Sequence, residues 1–391
     1  MPLPDRLIVL GSTITALSLA RNARRLGIEC LLVDTSHGPA MRTRCADKLI
    51  VADAQRSGEF LELLVEAKHE GSAALIADSD TWLRWLVRHR ETLESAFTVL
   101  HPPNETIDIC LNKSKFLSWC KESGLPAPAL YSPASLDTID FSRAPVLVRP
   151  EQTLHGQRTR LPKAIEVRSR ASLDELLVSY RESGATACIS ESLIRPGVRQ
   201  FSVGLARNRR GEHEVFVAEK VRPDAERCAG GTYVIPSPNR RIAKLATYAA
   251  DKLDYFGIME AEIFLDEERN QPYFVEINAR PWVQYELARV CGFDFLSFLL
   301  GGDHSRAGTK KNQNHAWLSL WDDLYVCFSR SGMVRGGQLS IARYIASLIK
   351  ADTYAFWSWS DPLPAVGVTI ERAKAFSRAF WGRLRGRGRR P

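Results

Sequence analysis

The stretch YFVEINARPW, residues 273–282, places polar side chains at alternating positions of an otherwise apolar segment. Side chains two apart in a strand share one face, so the sequence predicts that Glu276, Asn278 and Arg280 point the same way. A solvated edge strand would carry such a row without penalty. A binding site would use it, because carboxylate and amide oxygens suit Mg²⁺ and a guanidinium suits phosphate oxygens.

A second acidic strand precedes this one. In GIMEAEIFLDE the alternation puts Glu260, Glu262 and Phe264 on one face. If the two strands form a hairpin, Glu262 faces Glu276, and facing carboxylates repel unless a cation lies between them. We therefore expect a divalent ion held by Glu262, Glu276 and Asn278, with water and phosphate as its other ligands. The cations available for the phosphates are Lys113, Arg149, Lys163 and Arg280.

The N-terminal region opens as a βαβ unit. Residues 7–11 and 29–34 are predicted strands on either side of a helix, and further strands and helices follow to about residue 100. This alternation predicts a small doubly wound α/β domain. Such a domain can bind a dinucleotide, but Thr13 stands where the phosphate-binding fingerprint requires its second glycine. The alternative is a Rossmann-like layer used for packing or for part of another substrate pocket.

A capped helix follows at residues 111–124. Asn112 can cap its start and Gly124 can end it. Lys113 lies in the first turn, where the helix dipole disfavours cations, so it is either a solvated lysine or one that binds an anion. Beyond this helix, strands with antiparallel pairs and long helical returns predict an α+β region up to about residue 300.

The order of these segments resembles the ATP-grasp superfamily, and in particular its carboxylate–amine ligases. The motifs are NKSKF…GLPAP, VLVRP, LPK, ISESLIRPG, RPD…AGGT, MEAEIFLD and FVEINAR, and the similarity covers roughly residues 5–300. The resemblance implies a Rossmann-like pre-ATP-grasp domain (1–105) and a two-lobed ATP-grasp domain (106–300). The small lobe spans about 145–195 and the large lobe about 196–300, and 301–391 is a C-terminal extension with a basic tail.

The resemblance also assigns roles to individual residues. Glu262, Glu276 and Asn278 match the magnesium ligands, and Arg280 matches the arginine that steadies the transferred phosphate. Lys113 matches a phosphate-contacting lysine. The remaining assignments are Arg149 where the family usually has lysine, Lys163 at the end of the phosphate-covering loop, Glu191 at the adenine and ribose hinge with Ile194 as an apolar wall, Gln200 near the ribose, and Arg222 with Gly230, Gly231 and Thr232 around the acceptor pocket.

The resemblance implies ATP with one or two Mg²⁺ ions, or Mn²⁺, as cofactors and small-molecule carboxylate and amine substrates. A carboxylate would attack the γ-phosphate, and an amine would displace phosphate from the resulting acyl phosphate. The loop around Gly156 would close over the site. The alternatives are a carboxylase-like enzyme acting on bicarbonate, an NAD-linked oxidoreductase, and a non-catalytic nucleotide-binding protein. The resemblance is also compatible with a homodimer.

Charge and cysteine content limit the binding partners and the cellular compartment that we expect. The chain carries a formal charge of +8, and the segment from Glu371 onward accounts for +7 of it, so no basic groove for nucleic acid is indicated. The eight cysteines form no C-x-x-C pair, which favours reduced thiols in the cytoplasm. We see no signal peptide and no apolar run long enough to span a bilayer. The basic tail is either solvated or an amphipathic helix on an anionic membrane surface.

Overall fold

The N-terminal third forms a parallel sheet of five strands. The computed structural model describes residues 3–51, 57–68, 71–152, 161–223, 230–302, 312–329 and 331–387; the predicted closing loop around Gly156 lies outside them. The sheet has the order β3-β2-β1-β4-β5. Its elements are β1 Arg6–Leu10, α1 Ile14–Leu26, β2 Glu29–Asp34, a 3₁₀ turn Pro39–Arg42, β3 Asp47–Ile50, α2 Ser57–Ala67, β4 Ala73–Ala77, α3 Asp80–Arg88, α4 Arg90–Ala96 and β5 Thr98–Val99. The predicted doubly wound opening is confirmed.

The turn after β1 is filled by an acidic side chain. Gly11 has a φ of 122°, and a Cβ at this position would lie 1.8 Å from Asp78 Oδ1. The Thr13 amide, at the start of α1, donates to Asp78 Oδ2 at 2.9 Å. A dinucleotide phosphate would need this helix N-terminus for itself and would be repelled by the carboxylate. The structure therefore disfavours the NAD alternative.

A small antiparallel sheet follows two connecting helices. α5 spans Asn104–Leu111 and α6 spans Lys113–Glu122, with the Asn112 side chain accepting from the Lys115 amide at 3.0 Å as the predicted cap. The sheet has the order β6-β9-β7-β8. Its elements are β6 Leu130–Tyr131, a 3₁₀ turn Pro133–Thr138, β7 Val146–Pro150, β8 Ile165–Val167, α7 Arg170–Glu182 and β9 Ala187–Glu191. β7 is wholly buried, so its last side chains, including Arg149, are held inside the protein.

The largest sheet has seven strands in the order β14-β13-β10-β11-β12-β15-β16. Its pairs are antiparallel except for β15 with β16. Its elements are β10 Val198–Arg207, β11 His213–Pro223, β12 Gly231–Pro236, α8 Arg240–Lys252, β13 Gly257–Asp266, β14 Gln271–Asn278, α9 Tyr285–Val290, α10 Phe295–Leu299, β15 Trp317–Leu318 and β16 Thr353–Tyr354. The predicted combination of an α/β domain with an α+β region is confirmed.

The C-terminal region is integrated with the rest of the chain. Its strands β15 and β16 extend the large sheet past residue 300, so the predicted boundary there does not coincide with a sheet edge. Its helices are α11 Leu320–Phe328, α12 Ile341–Lys350 and α13 Leu363–Arg387. The fully buried Asp361 accepts from Arg21 Nε at 3.0 Å and Thr43 Oγ1 at 2.6 Å, which ties this region to the N-terminal domain. None of the described helices is long and apolar enough to cross a membrane.

Candidate functional site

The two acidic strands pair as the sequence predicts. β13 and β14 form an antiparallel hairpin in which Glu262 lies directly opposite Glu276 and Glu260 opposite Asn278. The register shifts next to Glu262, which marks a β-bulge at the point where the carboxylates meet. Bulges re-aim side chains beside binding sites. The hairpin therefore brings the predicted ligands Glu262, Glu276 and Asn278 to one patch of the large sheet.

A buried lysine from the neighbouring strand β11 completes this patch. Lys220 Nζ lies 2.6 Å from Glu262 Oε1 and 3.4 Å from Glu260 Oε1. Burial raises the pKa of Glu262 above its ordinary value; the attraction of Lys220 lowers this pKa, and repulsion from Glu260 and Glu276 raises it further. Burial opposes the charge of Lys220, but the two glutamates outweigh it and raise its pKa. Glu260 and Glu262 thus share a single ammonium, so a bound cation would add to the compensation of their charge.

Glu276 faces two cations from separate parts of the fold. Lys113 Nζ, at the start of α6, lies 3.9 Å from its Oε1, and Arg149 Nη1, at the end of β7, lies 3.8 Å from its Oε2. Both distances exceed a hydrogen bond, so these cations are near the carboxylate without being committed to it. Arg149 Nε is buried and has no hydrogen-bond partner among the described residues. The pair is therefore placed to receive further anionic oxygens.

Asn278 and Arg280 continue the row into the interface with the N-terminal domain. Asn278 Nδ2 donates to Glu260 Oε2 at 3.0 Å, and Arg280 Nη2 donates to Asn278 Oδ1 at 3.3 Å. Arg280 Nε donates to Asp80 Oδ1, at the start of α3, at 2.7 Å. Burial opposes ionisation of Asp80, yet Arg280, with Arg84 and Lys113, outweighs it and holds its pKa at about 2. The ion pair fixes Arg280 beside the acidic patch.

The predicted hinge residues line two smaller cavities. One, of about 20 Å³, is a narrow slot between the two lobes, lined by residues that include Leu147, Arg149, Glu191, Leu193, Ile194, Phe264 and Val275. The other, of about 190 Å³, includes Ile194 and Gln200 and is closed by residues after α11. Glu191 lies 3.7 Å from Arg195 and 3.8 Å from Arg269, at the mouth of the slot. The slot has mostly apolar walls beside Arg149, and at about 20 Å³ it has room for about one water molecule.

The predicted acceptor residues lie around a larger cavity of about 970 Å³. Its lining includes Lys163, Gly230, Gly231 and Thr232, together with Gln284 and side chains of α11 and α13. Lys163 is exposed and contributes to this cavity, whereas Lys113 and Arg149 lie at Glu276.

Arg222 lies behind the wall of this cavity. It donates to both carboxylate oxygens of Asp323, at 2.6 and 2.9 Å, and to Ser347 Oγ at 2.9 Å. Its guanidinium also lies 4.1 Å from the centre of the Tyr233 ring. Thr232, which lines the cavity, donates to the same Asp323 at 2.8 Å. In the structure Arg222 thus holds the cavity wall, and its predicted role at the acceptor pocket stays a prediction.

Sequence reasoning did not assign roles to Lys220, Glu260 or Asp80. Two of these residues could have been found from the sequence. Alternation in β11 places Lys220 on the face of Phe216 and Ala218, and alternation in β13 places Glu260 on the same face as Glu262. Asp80 is 200 residues from Arg280, and nothing in the local pattern links them. Among the described residues, no group of three or more His, Cys, Asp or Glu side chains is arranged to hold a metal by itself. A metal here would need the amide and outside ligands.

Comparison with solved structures shows the fold. The biotin carboxylase domain of the 2-oxoglutarate carboxylase from Hydrogenobacter thermophilus, in complex with MgADP, ADP and bicarbonate, aligns with a TM-score of 0.60 at 15% identity, covering 80% of this chain and 71% of that one. N5-carboxyaminoimidazole synthetase from Staphylococcus aureus, complexed with ADP, gives 0.60 at 14% identity, covering 78% and 79%. L-amino acid ligase from Bacillus licheniformis gives 0.59 at 15%, covering 81% and 79%.

These alignments confirm the predicted architecture. The chain has a pre-ATP-grasp domain followed by an ATP-grasp fold, as the order of its motifs predicted. No protein-family model matches the sequence, and a search of curated proteins found no match.

Proposed function

We propose that this chain is an ATP-dependent carboxylate–amine ligase that forms an amide bond and releases ADP and phosphate. The observation that carries the proposal is the arrangement around Glu276. This carboxylate lies opposite Glu262 on one side and within 3.8–3.9 Å of Lys113 and Arg149 on the other. Anionic and cationic groups thus meet along one surface, which is the arrangement that a nucleotide phosphate with its metal ion requires.

The donor set fits Mg²⁺, with Mn²⁺ as an alternative. Glu262, Glu276 and Asn278 would hold one or two ions, and the ion would neutralise charge on the phosphates when bound. Lys113 and Arg149 would bind phosphate oxygens, and the buried, unpartnered Arg149 Nε supports this. The adenine ring would lie against Leu193 and Ile194, with Glu191 beside it and Gln200 toward the ribose. Because the slot has only about 20 Å³, its two walls must separate for the ring to enter. The fold neighbours crystallised with ADP support the same use of this chain.

The chain's own residues would then act by positioning and charge neutralisation. A substrate carboxylate would attack the γ-phosphate, giving an acyl phosphate and ADP. An amine would displace phosphate from that intermediate and form the amide. Arg280, held by Asp80, would steady the transferred phosphate, and Lys163 would reach it from the small lobe. Arg222 would act indirectly, because it binds Asp323, which in turn holds Thr232 in the wall of the acceptor cavity.

A carboxylase-like acceptor is the second candidate. One fold neighbour was crystallised with bicarbonate, so a bicarbonate-dependent reaction is compatible with this architecture. The two reactions differ in what triggers ADP release. A ligase needs both a carboxylate and an amine, whereas a carboxylase needs bicarbonate and its acceptor.

The test is ADP release from Mg·ATP by the full-length chain against a panel of carboxylates, each with and without an amine pool and bicarbonate. Release that requires a carboxylate and an amine supports the ligase. Glu276→Gln should reduce that release at least about a hundredfold, because it removes the charge opposite Glu262. The control is Glu268→Gln, which changes an exposed glutamate in the β13–β14 turn. Equal rates for wild type and Glu276→Gln would overturn the site assignment.

We also propose a cytoplasmic location with peripheral contact to anionic membranes through the C-terminal region. Of the 19 large apolar side chains that are exposed among the described residues, 12 lie between Leu320 and Phe376. They include Ile349, 81% exposed on α12, and Trp359, 87% exposed before α13. Basic residues of α13 add attraction to anionic lipid.

Vesicle co-sedimentation tests this contact. The full chain should bind phosphatidylserine vesicles at low salt, and deletion after Glu371 should abolish binding. No binding at low salt would refute the membrane contact. We also propose a homodimer as compatible with the fold. If the exposed surface forms the dimer interface, the chain will sediment as a dimer and will not bind vesicles.

A further inference from the structure

The largest cavity described above is built mainly by the C-terminal region. Its walls include Trp317 of β15, Trp321 and Tyr325 of α11, and Ala373 and Phe376 of α13. Val283, which follows β14, and Ile14, at the start of α1, complete an apolar surface. About 970 Å³ is at the upper end of the range for small-molecule sites. A substrate as small and polar as an unsubstituted amino acid would leave most of this apolar surface uncovered.

One wall of this cavity adjoins the acidic patch. A Cβ on Gly231 would come within 3.0 Å of Lys220 Cγ, so the backbone of Gly231 lies directly on the stem of Lys220. The ammonium of that same side chain contacts Glu262 at 2.6 Å. Gln284 Nε2 donates to the Gly231 carbonyl at 3.2 Å and holds this wall in place. A single side chain therefore separates the cavity from the carboxylates to which we assign the metal.

Of the two basic side chains that line the cavity, Arg372 is paired with a carboxylate and Lys163 is not. Arg372 Nη2 donates to Asp322 Oδ1 at 3.0 Å, so these two lining residues neutralise each other. Lys163 also lines the cavity and has no ion pair with any residue in the described ranges. A carboxylate entering from solvent would find its complementary charge at Lys163 and its apolar contacts at α11 and α13.

We infer that the carboxylate substrate is an acid with a bulky apolar body, of the fatty-acyl or aryl-acyl class, held in this cavity by the C-terminal region. The inference rests on the proposed ligase function for its chemistry. The carboxylate end lies toward Lys163 and Gly231, and the apolar body lies against Trp321, Tyr325 and Phe376. The C-terminal region is then part of the substrate site, which explains why its strands and helices are built into the fold.

Binding measurements test this without turnover. Isothermal titration of the full chain in Mg·ADP compares octanoate, butyrate and octan-1-ol. Each buried methylene strengthens binding roughly fourfold, so octanoate should bind more than about a hundredfold more tightly than butyrate. Lys163→Met should reduce the affinity for octanoate to that for octan-1-ol, because only the carboxylate uses the ammonium. Equal affinity for octanoate and butyrate in the wild type would overturn the inference.

Two matched pairs of variants locate the apolar contact. Ala373→Trp fills the cavity and should weaken octanoate binding at least tenfold while leaving butyrate unchanged. Its control is Ala375→Trp, at an exposed position of the same helix that does not line the cavity. Phe376→Ser removes an apolar wall at a residue 74% exposed, with Trp359→Ser as its control outside the cavity. Equal losses in a variant and its control would refute the assigned position.

The ADP-release assay separates this inference from the proposed function. Octanoate binding as expected, with no ADP release for any amine, would uphold the cavity assignment and refute the ligase. ADP release with small polar acids only, and no preference for octanoate, would uphold the ligase and refute the apolar substrate.

Discussion

The ion pair between Asp80 and Arg280 yields a prediction with a defined pH dependence. It joins α3 of the N-terminal domain to the residue that follows β14, with Nε and Oδ1 2.7 Å apart. The side chains are only 10% and 18% exposed. Asp80→Asn keeps the shape of the side chain and an acceptor oxygen, and it removes only the charge. The variant therefore measures what the charge contributes.

The magnitude follows from the pKa of Asp80, which lies at about 2 in the folded chain against an ordinary value of 3.8 for an aspartate. A difference of this size corresponds to about 2 kcal/mol of stability once the carboxyl is ionised in both states. Because the folded pKa is the lower one, this contribution is complete above about pH 5. It falls to about half at pH 3 and disappears as the pH drops below 2.

Urea unfolding of wild type and Asp80→Asn at pH 7 and pH 3 measures the effect. The variant should lose about 2–3 kcal/mol at pH 7 and about 1 kcal/mol at pH 3. The control is Asp108→Asn, which breaks the exposed pair with Lys115 and should lose less than about 1 kcal/mol. ADP release should fall in Asp80→Asn through kcat more than through KM for ATP, because Arg280 would lose its fixed position.

Two outcomes would refute this reasoning. A loss at pH 7 no larger than that of Asp108→Asn would show that the ion pair contributes no more than an exposed one. A loss that stays constant between pH 7 and pH 3 would show that the charge of Asp80 is not its source. In either case Arg280 would have to be held by its hydrogen bonds to Asn278 Oδ1 and to the Pro281 carbonyl.

Two further predictions concern stability. Arg222→Lys should lower the free energy of unfolding in urea by about 2–4 kcal/mol, because lysine cannot reproduce the bidentate pair with the fully buried Asp323. An unchanged unfolding midpoint would refute the assignment of Arg222 to the cavity wall. Gly204→Ala should lose about 3 kcal/mol, since its Cβ would lie 2.0 Å from the buried Trp282 ring. Gly336→Ala, whose Cβ would meet nothing closer than 3.5 Å, is the control and should change stability by less than about 0.5 kcal/mol.

Much of the fold could be predicted because its local signals agree with its packing. The strand β2 has the predicted bounds, Glu29–Asp34, around an apolar run, and Asn112 caps α6 as its side-chain chemistry requires. The β13–β14 hairpin followed from alternation and a polar turn, which fix both the pairing and the facing side chains. The C-terminal strands β15 and β16 have two residues each, so they are too short to show the alternation of apolar and polar residues that predicts a strand.

The site was predictable in its ligands and less so in their surroundings. Glu276 and Asn278 share a strand, so spacing alone places them together. Lys220 reaches Glu262 only because β10, which separates β11 from β13, carries small side chains such as Ser202 at this level. That is a property of sheet order, and sheet order depends on contacts between residues distant in the chain. No local pattern contains it.

The position of Lys220 also bears on how the acidic patch tolerates its own charge. Buried like charges destabilise a fold unless they are paired, and one ammonium serves both Glu260 and Glu262. Ser202 donates a further hydrogen bond to Glu260, while Glu276 relies on the more distant Lys113 and Arg149. Of the three carboxylates in this patch, Glu276 is therefore the one whose charge is compensated only at a distance. An arriving Mg·ATP would neutralise it and engage the two cations at the same time, which is why substitution of Glu276 is the sharpest test of the proposed function.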